Sequence, residues 1–84
     1  MGEADRIVKA LLTAIATLED LVQVIPESTM AMSTLEGIAF ELGEMGPDER
    51  RTFIGALNRI AAEEPSRADW IHGLPHALGL AGRM

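Results

Sequence analysis

The chain has 84 residues, the size of one small domain, and 48 % of them are hydrophobic although only 4 % are aromatic. This aliphatic supply is enough for a core and argues against intrinsic disorder. Thirteen acidic against seven basic residues give a formal net charge of −6. That balance disfavours nucleic acid and anionic membranes as partners. It suits either a partner with a basic surface or an acidic surface that serves only solubility.

The expected compartment follows from three absences. The sequence contains no cysteine, whereas small secreted domains usually need disulfides. Its beginning shows no basic stretch followed by an apolar run, so no signal peptide is visible. No uninterrupted apolar run approaches the roughly 18 residues of a membrane span. We therefore expect a soluble, cytoplasmic protein.

The first helix is predicted over about residues 3–23. Apolar residues recur there at alternating spacings of four and three, which is typical of a helix. A second apolar row, Val8, Leu12, Ile15 and Val22, widens the apolar face. Such a wide face predicts a helix with several neighbours, or one that also forms a homodimer. The first row consists of Ile7, Leu11, Ala14, Leu18, Leu21 and Ile25.

The second helix is predicted over about residues 27–44. Pro26 pushes the preceding residue out of the α region, and Ser28 is a good N-cap. A later start near Ser33 is an alternative, because Ser33-Thr34-Leu35-Glu36 fits a capping box. The expected buried row is Ala31, Leu35, Ile38, Leu42 and Met45.

The third helix is predicted over about 47–64 and a short fourth over about 66–73. The boundary between helices two and three is marked by the stretch Gly46-Pro47-Asp48-Glu49. The glycine can end one helix, the proline can open the next, and the two acids suit the positive N-terminal end of a helix dipole. The expected buried residues of these two helices are Phe53, Ile54, Leu57, Ile60, Ala61, Trp70, Ile71 and Leu74.

The C-terminal stretch contains His72 and His76, a spacing that suits a metal site on a continuous helix. Pro75 predicts that the helix ends near Gly73, so we reject metal binding by this pair. A closing turn should follow, with Leu80 folding back onto the core, and residues 81–84 should form a frayed tail. The expected fold is a single all-α domain, residues 1–84.

No enzyme, cofactor or metal site is predicted. Nucleophilic catalysis needs a base near the nucleophile, and the carboxylate pairs of this chain stand at helix ends, where they are usually solvated. The arginines are expected to form ion pairs on a solvated face. The outline of an acidic, four-helix chain with Ser28 opening the second helix resembles acyl carrier proteins, which hold phosphopantetheine on such a serine. The resemblance is architectural, since Thr29 stands where that motif has an apolar residue.

The segments GPDERRTFIGALNRIAAEEP and WIHGLPHALGL, with LEGIAFEL at 35–42, resemble a group of small, uncharacterised bacterial helical proteins. The shared features are a helix opened by proline and acids with Phe53-Ile54, and a Leu-Pro-x-x-Leu-Gly-Leu ending, here Leu74 to Leu80. The resemblance implies a bacterial source and an all-helical fold, and it brings no activity or binding residues.

The leading functional hypothesis is a non-enzymatic module that binds another protein, as an inhibitor or immunity-type protein or as an accessory subunit. The alternatives are a carrier modified on Ser28 and a self-associating structural domain. The predicted partner-binding residues are exposed acids of helices two and three with methionine anchors: Met30, Met32, Glu41, Glu44, Asp48 and Glu49.

Overall fold

The computed structural model describes residue 2 and residues 4–80, and this part of the chain contains helices and no β-strand. The predicted all-α bundle with three main helices and a short fourth is confirmed. Residue 3, the predicted first helical residue, and the predicted tail 81–84 lie outside the described residues. The helices are α1 (Ala4–Val24), α2 (Thr29–Gly43), α3 (Pro47–Glu63) and α4 (Ala68–Ala77), with a 3-10 turn at Pro65–Arg67.

Local sequence sets the starts of α2 and α3. Ser28 is the N-cap of α2, and its Oγ accepts a hydrogen bond from the Ala31 N–H at 3.5 Å. The alternative start near Ser33 is therefore wrong. At α3, the Glu49 carboxylate accepts from the Gly46 N–H at 3.0 Å, and Pro47 occupies the first turn.

The end of α4 differs from the prediction, because the helix runs through Pro75 to Ala77 instead of stopping near Gly73. Pro75 removes only one N–H close to the end of the helix. A Schellman arrangement holds the last turn: Leu80 N–H donates to Pro75 O at 2.7 Å, and Gly79 N–H donates to His76 O at 3.0 Å. Burial of Leu74 and Leu80 adds to this, so tertiary packing overrides the local preference for a break.

The core lies where α1, α3 and α4 meet. The buried apolar residues of α1 come from its second apolar row. The first row lies at the edge of the core, on the side of α2. Ile7, the first member of the first row, is 73 % exposed, and Leu21 and Ile25 are exposed too. The reason is that α3 and α4 cover the side of α1 that carries Leu12. The second row is therefore enclosed, whereas the first row is not. The core cluster is Val8, Leu12, Ile15, Phe53, Ala56, Leu57, Ile60, Ala61, Ile71, Leu74 and Leu80.

Helix α2 has a single close helix neighbour in the described chain. Among the described helices, its backbone lies close to that of α1 alone. Its predicted row does face inward, but only Ala31 is fully buried, while Leu35, Ile38, Leu42 and Met45 are half-buried at the edge of the core. None of the described helices is long and apolar enough to span a bilayer.

Two glycines near the C-terminus test the end of α4. Gly79 has φ of +77°, a left-handed conformation that strains any residue with a Cβ. Gly73 is exposed inside the helix, and an added Cβ there meets nothing within 4 Å. We expect Gly79→Ala to lower the free energy of unfolding by about 1 kcal/mol. Gly73→Ala should raise it by about 0.5–1 kcal/mol.

Urea unfolding followed by circular dichroism measures both changes. Opposite signs are expected, and two changes of the same sign would contradict the described end of α4.

Candidate functional site

The outer side of α2 carries large apolar side chains that the described chain leaves substantially exposed, and Phe40 lines a groove with residues 78–80. Met30 is 78 % exposed, Phe40 is 66 % exposed and Met32 is 45 % exposed. Three carboxylates, from Glu36, Glu41 and the C-cap residue Glu44, are exposed beside them. These six residues are called the α2 surface below.

The spacing along the helix orders the α2 surface into two flanks. Met32, Glu36 and Phe40 follow one another at intervals of four residues and therefore lie along one flank. Met30 and Glu41 are three turns apart and lie along the other flank, beside α1. The two methionines thus stand at opposite edges, and the acids lie among the apolar side chains.

Asp48 and Glu49, which were predicted as part of the same face, lie elsewhere. They occupy the first turn of α3, where they line a groove with Ile7 and Met45. Both have partners within the chain: Asp48 accepts from the Arg51 guanidinium, and Glu49 caps α3. The structure therefore brings four of the six predicted residues together on α2 and separates the other two.

Phe40 is the main residue that the sequence analysis did not single out. Phe40 lies outside the apolar row formed by Leu35, Ile38 and Leu42. A large aromatic side chain on the solvent-facing side of the helix could therefore have identified it from the sequence. A second signal was the charge distribution. Residues 10–49 contain eight acids and no lysine, arginine or histidine. The α2 surface belongs to this segment and carries only negative charge.

The buried carboxylate of Asp5, 1 % exposed, was also not foreseen. Its two oxygens accept from Arg59: Oδ1 from Nη2 at 2.7 Å and Oδ2 from Nε at 2.9 Å. The hydrogen bonds from Arg59 hold the pKa of Asp5 below its ordinary value. Burial of the carboxylate acts in the opposite direction, and the positive charge of Arg59 lowers the pKa further. An ionised carboxylate held by a guanidinium ties α1 to α3 and has no proton to give at neutral pH.

Trp70, which was predicted to pack inward, is half-buried and links α4 to α1 through its polar edge. Its Nε1 donates to Glu19 Oε1 at 2.8 Å. The Arg67 guanidinium lies 5.1 Å from the ring centroid, within the range of a cation–π contact. Arg51 pairs with Asp48 on a solvated face, as expected of the arginines, whereas Arg67 pairs with Glu64 at a half-buried position.

The two histidines and Ser28 complete the predicted candidates. Because α4 continues past Pro75, His72 and His76 are one helical turn apart on an exposed face, so the reason for rejecting them as ligands was wrong. Within the described chain, no three His, Asp or Glu side chains are placed to hold a metal ion. Ser28 is half-buried and its hydroxyl is used as the cap of α2.

Comparisons with known proteins found no match for this chain, whether among protein-family models, curated proteins or solved structures.

The Asp5–Arg59 pair predicts a pH dependence of stability. Since the folded pKa of Asp5 lies below the unfolded value, its stabilising effect is fully present above about pH 4 and is lost as the pH falls through the folded pKa. We expect Asp5→Asn to unfold at lower urea concentration than the unchanged chain at pH 7. The difference should shrink as the solution is acidified.

Asp48→Asn is the matched control, because it removes an exposed carboxylate that also pairs with an arginine. It should change the urea midpoint little at either pH. An equal effect of the two substitutions at pH 7 would show that burial gives the Asp5 pair no special weight.

Proposed function

We propose that the protein is a non-enzymatic interaction module and that the α2 surface binds another protein, as an inhibitor or immunity-type protein or an accessory subunit. The observation that carries the proposal is the mismatch between the composition of α2 and its burial. Eight of its fifteen residues are apolar, yet Ala31 alone is fully buried.

Exposed apolar side chains on one helix mark a docking surface when they are large and clustered. Phe40 is well suited to be the anchor, because aromatic residues bury much area and lose little rotamer freedom. Full burial of such a side chain contributes about 1.5–3 kcal/mol. Met30 and Met32 are flexible enough to fit an irregular surface around it.

The carboxylates of the α2 surface favour a partner of opposite charge. Glu36, Glu41 and Glu44 surround Phe40, and residues 10–49 supply no base to neutralise them. The matching surface is an apolar pocket rimmed by lysine or arginine. Charges in such a rim mainly accelerate encounter, so association should be fast at low salt and slower at high salt.

The chemistry of the remaining polar groups gives little support to an enzymatic alternative. Asp5 is engaged by Arg59, Glu19 by the Trp70 indole and Glu49 by the Gly46 N–H. General acid–base catalysis needs a group that is free to exchange a proton with a substrate. In the described chain these three carboxylates are used to hold helices in place.

The test begins with native mass spectrometry of tagged protein purified gently from its own source organism. We expect a heterologous complex. With the partner in hand, Phe40→Ala should weaken binding by about thirtyfold or more, since truncating an interface anchor costs about 2 kcal/mol or more. Asn58→Ala, on the exposed side of α3, is the control and should leave affinity unchanged.

A double substitution, Glu41→Lys with Glu44→Lys, separates steering from anchoring. It should lower the association rate constant and flatten its dependence on salt, with a small effect on dissociation. Binding that survives Phe40→Ala and both charge reversals would rule out the α2 surface.

A further inference from the structure

The side of α1 that faces away from the core is nearly free of charge. Along this side the exposed residues run from Arg6 to Asp20 and on to Leu21, and Arg6 and Asp20 are the only charged ones. Residues 10–18 contain no charged residue at any point of the helix circumference. The exposed residues, called the α1 surface, are Arg6, Ile7, Ala10, Thr13, Ala14, Thr17, Asp20 and Leu21.

A helix that is apolar all round is normally covered on every side, and threonine is the only polar residue type in residues 10–18. In α1 the core covers one side through Leu12 and Ile15, and α2 covers the edge near Leu11. The α1 surface is the remaining side. Its middle is formed by small side chains, Ala10 and Ala14, which allow another helix to approach closely.

The row that contains Ile7, Ala14 and Leu21 repeats every seven residues, with Ala10 and Thr17 between them on the exposed side. This is the spacing of a seam between two packed helices. Ile7 is 73 % exposed and Leu21 is 40 % exposed, so the described chain leaves both ends of the seam open.

We propose that the α1 surface binds the same surface of a second copy, with the two α1 helices antiparallel and a two-fold axis near Thr13. Arg6 stands seven residues before Thr13, and Asp20 stands seven residues after it. Because seven residues are about two helical turns, both lie on the same flank of the helix as Thr13. In an antiparallel pair, residues at equal distances on either side of the axis face each other on that flank. Arg6 of each copy therefore meets Asp20 of the other.

The charges argue for this orientation and this occupant. In a parallel pair each flank faces the opposite flank of the partner at the same height, so Arg6 and Asp20, which lie at opposite ends of α1, could not meet. The antiparallel arrangement makes the surface complementary to itself, which is what a two-fold interface requires. The net charge of −6 opposes self-association, and Asp48 and Glu49 line a groove beside Ile7; salt screens this repulsion between exposed charges.

This dimer uses a different surface from the partner interaction above and does not depend on it. Sedimentation equilibrium of the purified chain over a range of concentrations tests it. We expect a monomer–dimer equilibrium in the unchanged chain. Ala14→Glu should weaken dimerisation by about a hundredfold. It places two carboxylates opposite each other near the axis, and an uncompensated charge at a packed contact costs several kcal/mol. Ala62→Glu, at an exposed alanine of α3, is the matched control and should leave it unchanged.

Exchanging the two charges tests the orientation. Asp20→Arg alone and Arg6→Asp alone should each weaken the dimer by about fivefold or more, because the interface contains the pair twice. The double variant, Arg6→Asp with Asp20→Arg, should restore the dimer.

A chain that sediments as a monomer at every concentration overturns the proposal. So does a dimer that tolerates Ala14→Glu, or single exchanges that the double variant does not repair. Circular dichroism of each variant establishes that it is folded.

Discussion

The packing of α1 against α3 is the contact on which the rest of the structure depends. Leu12 and Ile15 of α1 and Leu57 and Ile60 of α3 are fully buried in the same cluster. Among the described helices, the backbone of α2 lies close to α1 alone, and the backbone of α4 lies close to α3. The α1–α3 contact therefore joins the two halves of the domain, and a cavity there would loosen both.

Helix number, helix order and most boundaries were predictable because they depend on local chemistry. Ser28 and the Gly46-Pro47 pair act through their own hydrogen-bonding and dihedral limits, which operate in any fold. The inward row of α2 was also predictable, since apolar periodicity does not depend on which neighbour covers it. The burial of Leu80 followed from an isolated leucine next to a glycine that ends a helix.

The remaining features depend on contacts between distant parts of the chain. Asp5 is buried only because Arg59, far away in the sequence, lies beside it. Two apolar rows of α1 compete for the core, and the position of α3 decides between Leu12 and Ile7. Pro75 stays helical because Leu74 and Leu80 are buried. The split of the predicted acidic face follows from the α2–α3 turn, which separates Asp48 and Glu49 from α2.

The single close helix neighbour of α2 has a consequence for the motions of the native state. Opening α2 exposes Ala31 and the inner sides of half-buried residues such as Leu35, Ile38 and Leu42, whereas opening α1 or α3 dismantles the fully buried core. The backbone amides of α2 should therefore exchange with solvent deuterium through a sub-global opening of low free energy. Those of α1 and α3 should exchange only through complete unfolding. A ligand that seats on Phe40 selects the closed form of α2, so it slows exchange along the whole helix and not only where it touches.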